Sequence, residues 1–134
     1  TDAERDEFLD GVHVGVLSIA RDGKGPLSLP IWYAHEGGEI VMMMSNSSLK
    51  ARLLRKQGRA SFTVQDERAP YRYVTVEGPV TVVNEPHDVT ELAVRYLGPE
   101  LGAQYAAANP PNDDSATARL TPERYLTCDY GKLM

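Results

Sequence analysis

Turn signals recur along this chain at short intervals, and they leave room for little but antiparallel β-structure. Asp22-Gly23, Gly25-Pro26 and Gly37-Gly38 fall between runs rich in β-branched and apolar residues. His13 to Ala20 reads as one strand, Leu27 to Glu36 as its return and Glu39 to Ser45 as a third, giving an antiparallel meander. Arg59 to Asp66 alternates Ala60, Phe62 and Val64 with polar neighbours, as a half-buried strand does. Tyr71 to Asn84 is a longer β run interrupted by Gly78-Pro79, which predicts a bulge or bend there. Arg124 to Leu133 reads as the last strand. Helical signals are fewer. Asp2 to Leu9 reads as a short helix with Asp2 as N-cap, and Asn46, Ser47 and Ser48 offer caps for a second helix that Gly58 ends. His87 to Ala108 has helical spacing in Leu92, Tyr96 and Leu97, broken around Gly98-Pro99, and Asn109 to Asp114 is a polar loop. About six strands, joined by hairpin turns and accompanied by two or three helices, predict a mainly β chain closed into a barrel rather than a βαβ sheet.

The 134 residues fit one domain, 1–134, large enough to bury a core without covalent staples. A single cysteine, Cys128, excludes an intrachain disulfide framework and a cysteine-rich zinc site, and with them the usual signs of an oxidising compartment. The expected setting is therefore cytoplasmic. Apolar stretches such as Ile40 to Met44 are far shorter than a membrane span, and the acidic start, Thr1 to Asp10, lacks the basic region of a signal peptide. A net charge of −5 argues against nucleic acid or an anionic membrane as partner.

Against that acidic background one segment stands out. Lys50, Arg52, Arg55, Lys56 and Arg59 place five of the 14 basic residues within ten positions, with no acid among them. Such a run is either a solvated helix face or an anion site. At about 100° per residue, Arg52, Arg55, Lys56 and Arg59 share one side, whereas Lys50 projects between Leu53 and Leu54, in the first helical turn. A lysine there, with the free N–H groups of that turn and the hydroxyls of Ser47 and Ser48, has the makings of a phosphate site. No Gly-rich run precedes the lysine, so the pattern is not a Walker loop.

The segment Leu27 to Glu36 offers a second feature. Pro30 interrupts sheet pairing, and Trp32 and Tyr33 follow on opposite faces. The strand is either a support for a planar ring or an edge strand with ordinary aromatic packing. Met42, Met43 and Met44 read as core filler. The usual catalytic sets are missing: His13, His35 and His87 are dispersed, without HExxH or metal-ligand spacing, there is no Gly-x-Ser-x-Gly elbow, and Asp66 and Glu67 read as turn residues. No metal site is expected. A chain so equipped can still act where a cofactor carries the chemistry.

Three segments resemble the pyridoxamine 5′-phosphate oxidase-like split-barrel flavoproteins, most closely the actinobacterial branch that uses the deazaflavin coenzyme F420. They are His13 to Ala20 with Asp22-Gly23 and Leu29 to Tyr33; Ser48 to Arg55 followed by Arg59 to Phe62; and Tyr73 to Gly78. The resemblance covers roughly Gly11 to Val83. It implies a six-stranded antiparallel split β-barrel that works as a homodimer, with the cofactor at the interface. It further implies that Lys50 holds cofactor phosphate with Ser48, Arg52 and Arg55, while Pro30, Ile31, Trp32, Met44 and Ser45 line the ring system. Many relatives have Arg before the lysine, where this chain has Leu49, and the spare arginines suit the acidic tail of F420. The expected function is hydride transfer between F420 and a small conjugated substrate. The alternatives are an FMN-dependent oxidase or reductase, or a cofactor carrier without turnover. Tyr33, Tyr71 and Tyr73 are the candidate proton donors, with water as the alternative.

Overall fold

A computed structural model describes residues 1–132. Thr1 caps the first helix, α1 (Asp2–Asp10), by accepting from the Glu4 N–H at 3.1 Å. The expected cap, Asp2, lies one residue too late, because only Thr1 has a Glu at the third helical position to complete a capping box. Two hairpins follow: β1 (Gly15–Arg21) with β2 (Lys24–Ile31), and β3 (Ala34–Glu36) with β4 (Glu39–Ser45). Their turns use Gly23, Gly37 and Gly38, all at positive φ, as the sequence signals require. After α2 (Leu49–Gln57) come β5 (Arg59–Asp66) and β6 (Arg72–Asn84), then α3 (Thr90–Leu97), α4 (Pro99–Ala108), β7 (Ser115–Leu120) and β8 (Arg124–Asp129).

All pairings are antiparallel, in the order β2-β1-β5-β6-β7-β4-β3, with β8 also paired to β6. The result is an eight-stranded sheet that is not closed, since β2 and β3 end the path without meeting. The expected closed six-stranded barrel is corrected on both counts. The anticipated strand Leu27 to Glu36 is in fact two: the chain leaves the sheet at Trp32 and Tyr33 and re-enters at the opposite end, so the three-strand meander does not form. The missed strand, β7, lies between β4 and β6 and is buried on both faces except at Arg119. Ser, Ala and Thr there show neither alternation nor strong β preference, so the period-2 signal is absent. The last strand stops at Asp129 and gives way to a 3₁₀ turn, Tyr130–Lys132; Leu133 lies outside the described residues.

The predicted bend at Gly78-Pro79 is the junction of the sheet. Before it, β6 pairs β5 on one edge and β8 on the other; after it, from Val80, it pairs β7. The Thr121 N–H donates to the Pro79 carbonyl and the Glu123 N–H to the Glu77 carbonyl, so the β7–β8 connection lies across the junction. One core results: Leu17, Ile19, Phe62, Val64 and Val76 from one half of the sheet meet Ile40, Met42, Met44, Ala118 and Leu120 from the other. Ala51 and Leu54 of α2 and Phe8 and Leu9 of α1 join them.

The junction depends on Gly78, where a Cβ would lie 2.0 Å from the Thr121 carbonyl oxygen, a backbone atom with little room to give. Gly78→Ala should lower the unfolding free energy by about 1–3 kcal/mol or more. Gly25→Ala, where a Cβ meets nothing within 4 Å, should stay within about 0.5 kcal/mol of wild type. Urea denaturation of both variants checks this; equal midpoints would contradict the assigned role of Gly78.

Candidate functional site

The break between β2 and β3 builds one wall of the site. Leaving the sheet there would orphan the Tyr33 N–H, but the Tyr96 hydroxyl of α3 accepts from it at 3.1 Å. That hydroxyl in turn donates to the His13 carbonyl, and burial raises its pKa. The Tyr96 ring lies parallel to Trp32, 4° between planes and 5.0 Å between centroids, while Tyr105 of α4 meets Trp32 at 53°. Arg95, beside Tyr96, donates to the Asp10 and Gly11 carbonyls, supplying the cation that the last turn of α1 lacks. Tyr33 itself is fully buried and its hydroxyl donates to Leu9 O at 2.8 Å. Burial raises its pKa, and its hydroxyl, committed to Leu9 O, is absent from the lining of the cavity beside Trp32. Tyr71 and Tyr73 lie at the start of β6, on none of the walls described here.

Five of the nine expected cofactor residues, Pro30, Ile31, Trp32, Met44 and Ser45, line a single cavity of about 380 Å³. The far wall comes from segments that sequence reasoning had not connected with the site: Leu92 of α3, Tyr105 of α4, and Asn109, Asn112 and Asp114 of the loop before β7. His87 also reaches this cavity; burial lowers its pKa, which favours the neutral imidazole. Nothing local in the sequence links these residues to Pro30, because β7 brings their loop beside the end of β4, pairing Ser45 with Ser115. Met43 faces this cavity and a larger one of about 630 Å³, whose lining includes Glu36, Glu85, Asp88 and Glu91 and none of the nine.

The other four expected residues lie along α2, which follows directly on the Ser45 wall: Ser48 is its N-cap, Lys50 and Arg52 stand in its first turn and Arg55 in its last. The Ser45 carbonyl accepts from the Ser48 N–H at 3.1 Å and the Ser48 hydroxyl at 2.6 Å. The Ser48 hydroxyl also accepts from Ala51 N–H, as an N-cap does, and the Ser47 hydroxyl and N–H both donate to the Asp114 carboxylate, at 2.8 and 3.0 Å. Neither hydroxyl is therefore free as expected. What remains in this turn are the N–H groups of Leu49 and Lys50 and the Lys50 ammonium.

The basic run sorts itself by partner. Lys56 pairs with Asp22 at 3.1 Å, and Arg59 grips Glu123 through two contacts of 2.8 and 3.2 Å. Arg55 donates to the Asn46 side chain, bracing the loop ahead of its own helix. Among the described residues, Lys50 and Arg52 have no acidic partner, and Lys50 is half-buried where Arg52, Arg55, Lys56 and Arg59 are exposed. A half-buried ammonium beside unpaired helix N–H groups is chemically suited to a phosphate, and the aromatic-walled cavity next to it to a planar ring. The residues present thus fit a phosphorylated ring cofactor. No group of three or more His, Cys, Asp or Glu side chains is placed to hold a metal among the described residues, and no helix there is long and apolar enough to cross a membrane.

Known structures share this fold. A conserved hypothetical protein from Mycobacterium tuberculosis is 26% identical, with a TM-score of 0.78 over 99% of this chain and 87% of its own. An F420 reductase is 25% identical, with a TM-score of 0.71 over 90% of this chain and 94% of its own. A putative pyridoxamine 5′-phosphate oxidase from Listeria innocua, 12% identical with a TM-score of 0.71 over 94% of this chain and 96% of its own, shares the fold. The sequence model described as pyridoxamine 5′-phosphate oxidase matches residues 1–128, and by that match, with the split sheet that underlies it, the chain belongs to the pyridoxamine 5′-phosphate oxidase family.

Proposed function

We propose that this chain is an F420-dependent oxidoreductase that acts on a small conjugated organic substrate. The observation that carries the reading is the first turn of α2, where Lys50 and Arg52 have no acidic partner among the described residues and whose N-cap, Ser48, is bonded to Ser45 on the wall of a cavity lined by Trp32, Ile31 and Met44. Lys50 and the Leu49 and Lys50 N–H groups would hold the cofactor phosphate. Pro30, Ile31, Trp32, Met44 and Ser45 would orient the ring and exclude water from one side of it. Ser48 contributes by fixing the helix start, and Arg55 by bracing Asn46. When bound, the cofactor supplies the hydride chemistry, which explains how a site without a nucleophile–base set could work.

The choice of F420 over FMN rests on charge. One phosphate satisfies Lys50 and the helix start, which leaves the exposed Arg52 over for the carboxylates of a longer tail, and Leu49 supplies no second cation at the phosphate. The similarity to an F420 reductase agrees with this reading. Exposure supports a homodimer: Pro30 is exposed and Trp32 half-exposed, so a bound ring would be covered by a second protomer, most simply by two-fold symmetry.

Lys50→Ala should weaken cofactor binding about ten- to hundredfold, the equivalent of a charge-assisted contact of roughly 1.5–3 kcal/mol. Lys56→Ala, which breaks only the exposed Asp22 pair, should change it little. Equal losses in a fluorescence titration would contradict the placement of the phosphate.

Purified protein should bind F420 more tightly than FMN at low salt, and the preference should narrow as ionic strength rises, because the tail contacts are exposed and screened. Tighter FMN binding at every salt concentration would favour the FMN-dependent reading, and F420 binding without turnover of any conjugated substrate would favour a carrier.

Light scattering should return about twice the 14.8 kDa chain mass. A monomer that binds the cofactor at full affinity would exclude the shared site.

A further inference from the structure

Trp32 is the only tryptophan of the chain and forms the aromatic wall of the 380 Å³ cavity. It stands in a two-residue gap between strands, where no ladder hydrogen bond fixes its backbone. A large side chain on such a segment would be expected to sample several positions, and a wall that moves cannot align a ring. Tyr96 removes that freedom in two ways. Its ring lies flat against the indole, 5.0 Å away and 4° from parallel. Its hydroxyl links the gap to the chain ahead of β1, accepting from Tyr33 N–H at 3.1 Å and donating to His13 O. One side chain of α3 thus ties together the segment that carries Trp32, the chain entering β1, and Trp32 itself.

We propose that Tyr96 is a positioning residue for the site: through Trp32 it sets the wall against which a planar ring lies, without itself holding the ligand. The proposal rests on the assignment of the 380 Å³ cavity as the ring site. It is distinct from a general role in stability because the effect must pass through Trp32. Parallel stacking constrains the tilt of the indole, while the hydroxyl bridge constrains where its backbone lies. Both constraints come from the chain's own side chains, and fixing a wall in this way lowers the ordering cost of binding.

The test uses Trp32 as its own reporter. Tyr96→Phe keeps the stack and deletes the bridge. It should increase acrylamide quenching of Trp32, and weaken F420 or FMN binding by about tenfold, the scale expected for losing hydrogen bonds and leaving Tyr33 N–H unpaired. Tyr130→Phe, a change on an exposed ring in the 3₁₀ turn after β8, should alter none of these. In a double-mutant cycle, Tyr96→Phe should cost much less in a Trp32→Leu background than in wild type, because the group it positions is gone. Wild-type quenching and affinity in Tyr96→Phe, or strict additivity in the cycle, would overturn the proposal. Hydrogen exchange on the wild-type chain is independent of whether the variants fold: saturating cofactor should slow exchange of the Tyr33 amide, and an unchanged rate would count against the proposal. If the wild-type chain binds neither F420 nor FMN, the assignment of the cavity fails. The quenching comparison then still decides whether Tyr96 holds Trp32 in place.

Discussion

The structure depends on one strand changing partners. At Gly78-Pro79, β6 leaves β8 and takes up β7 while remaining a single strand of 13 residues. A flat sheet of eight strands would expose both its faces. The change of partner lets the two halves turn toward each other and bury Leu17, Phe62 and Val76 against Met42, Ala118 and Leu120. The absence of a side chain at Gly78 admits the Thr121 carbonyl, and Pro79, which has no N–H to lose, contributes only its carbonyl, to Thr121 N–H. From this junction follow the open edges at β2 and β3 and the closeness of the loop before β7 to the end of β4, on which the cavity depends.

The site is built where the sheet is least regular. The gap at Trp32 and Tyr33, the turn from β4 into α2 and the loop before β7 converge there, and each is tied by hydrogen bonds outside the strand ladders, most of them involving side chains. Tyr96 secures the first, and Asp114 fixes the second to the third through Ser47 and the Asn46 N–H. Asp114 also places a carboxylate beside the α2 N-terminus, where it competes for the positive end of the helix dipole. The anion-binding capacity of this turn is therefore concentrated on Lys50 and the Leu49 and Lys50 N–H groups rather than on the serines.

Elsewhere the charges are mostly paired on the surface. Lys56 with Asp22 and Arg59 with Glu123 join exposed partners, and such pairs contribute little to stability. Their consequence for the site lies in removing two cations from competition, so that of the run of five basic residues two, Lys50 and Arg52, are left without a side-chain partner among the described residues.

The sequence by itself determined the local elements whose signals lie within a few residues. These are the Gly-centred hairpins, the capped helix α2 and the bend at Gly78-Pro79. Each is a matter of backbone freedom or helical periodicity, which short windows carry. Tertiary structure alone decided the rest. β7 lacks alternation because both its faces are buried, so its identity as a strand depends on β4 and β6 being there to cover it. The break at Trp32-Tyr33 is stable because Tyr96, 63 positions away along the chain, satisfies the freed N–H. Which cations are spent and which remain depends on Asp22 and Glu123, brought close by strand pairing and not by spacing. Those outcomes rest on contacts between distant segments, and no local pattern of residues encodes a partner that only folding brings within reach.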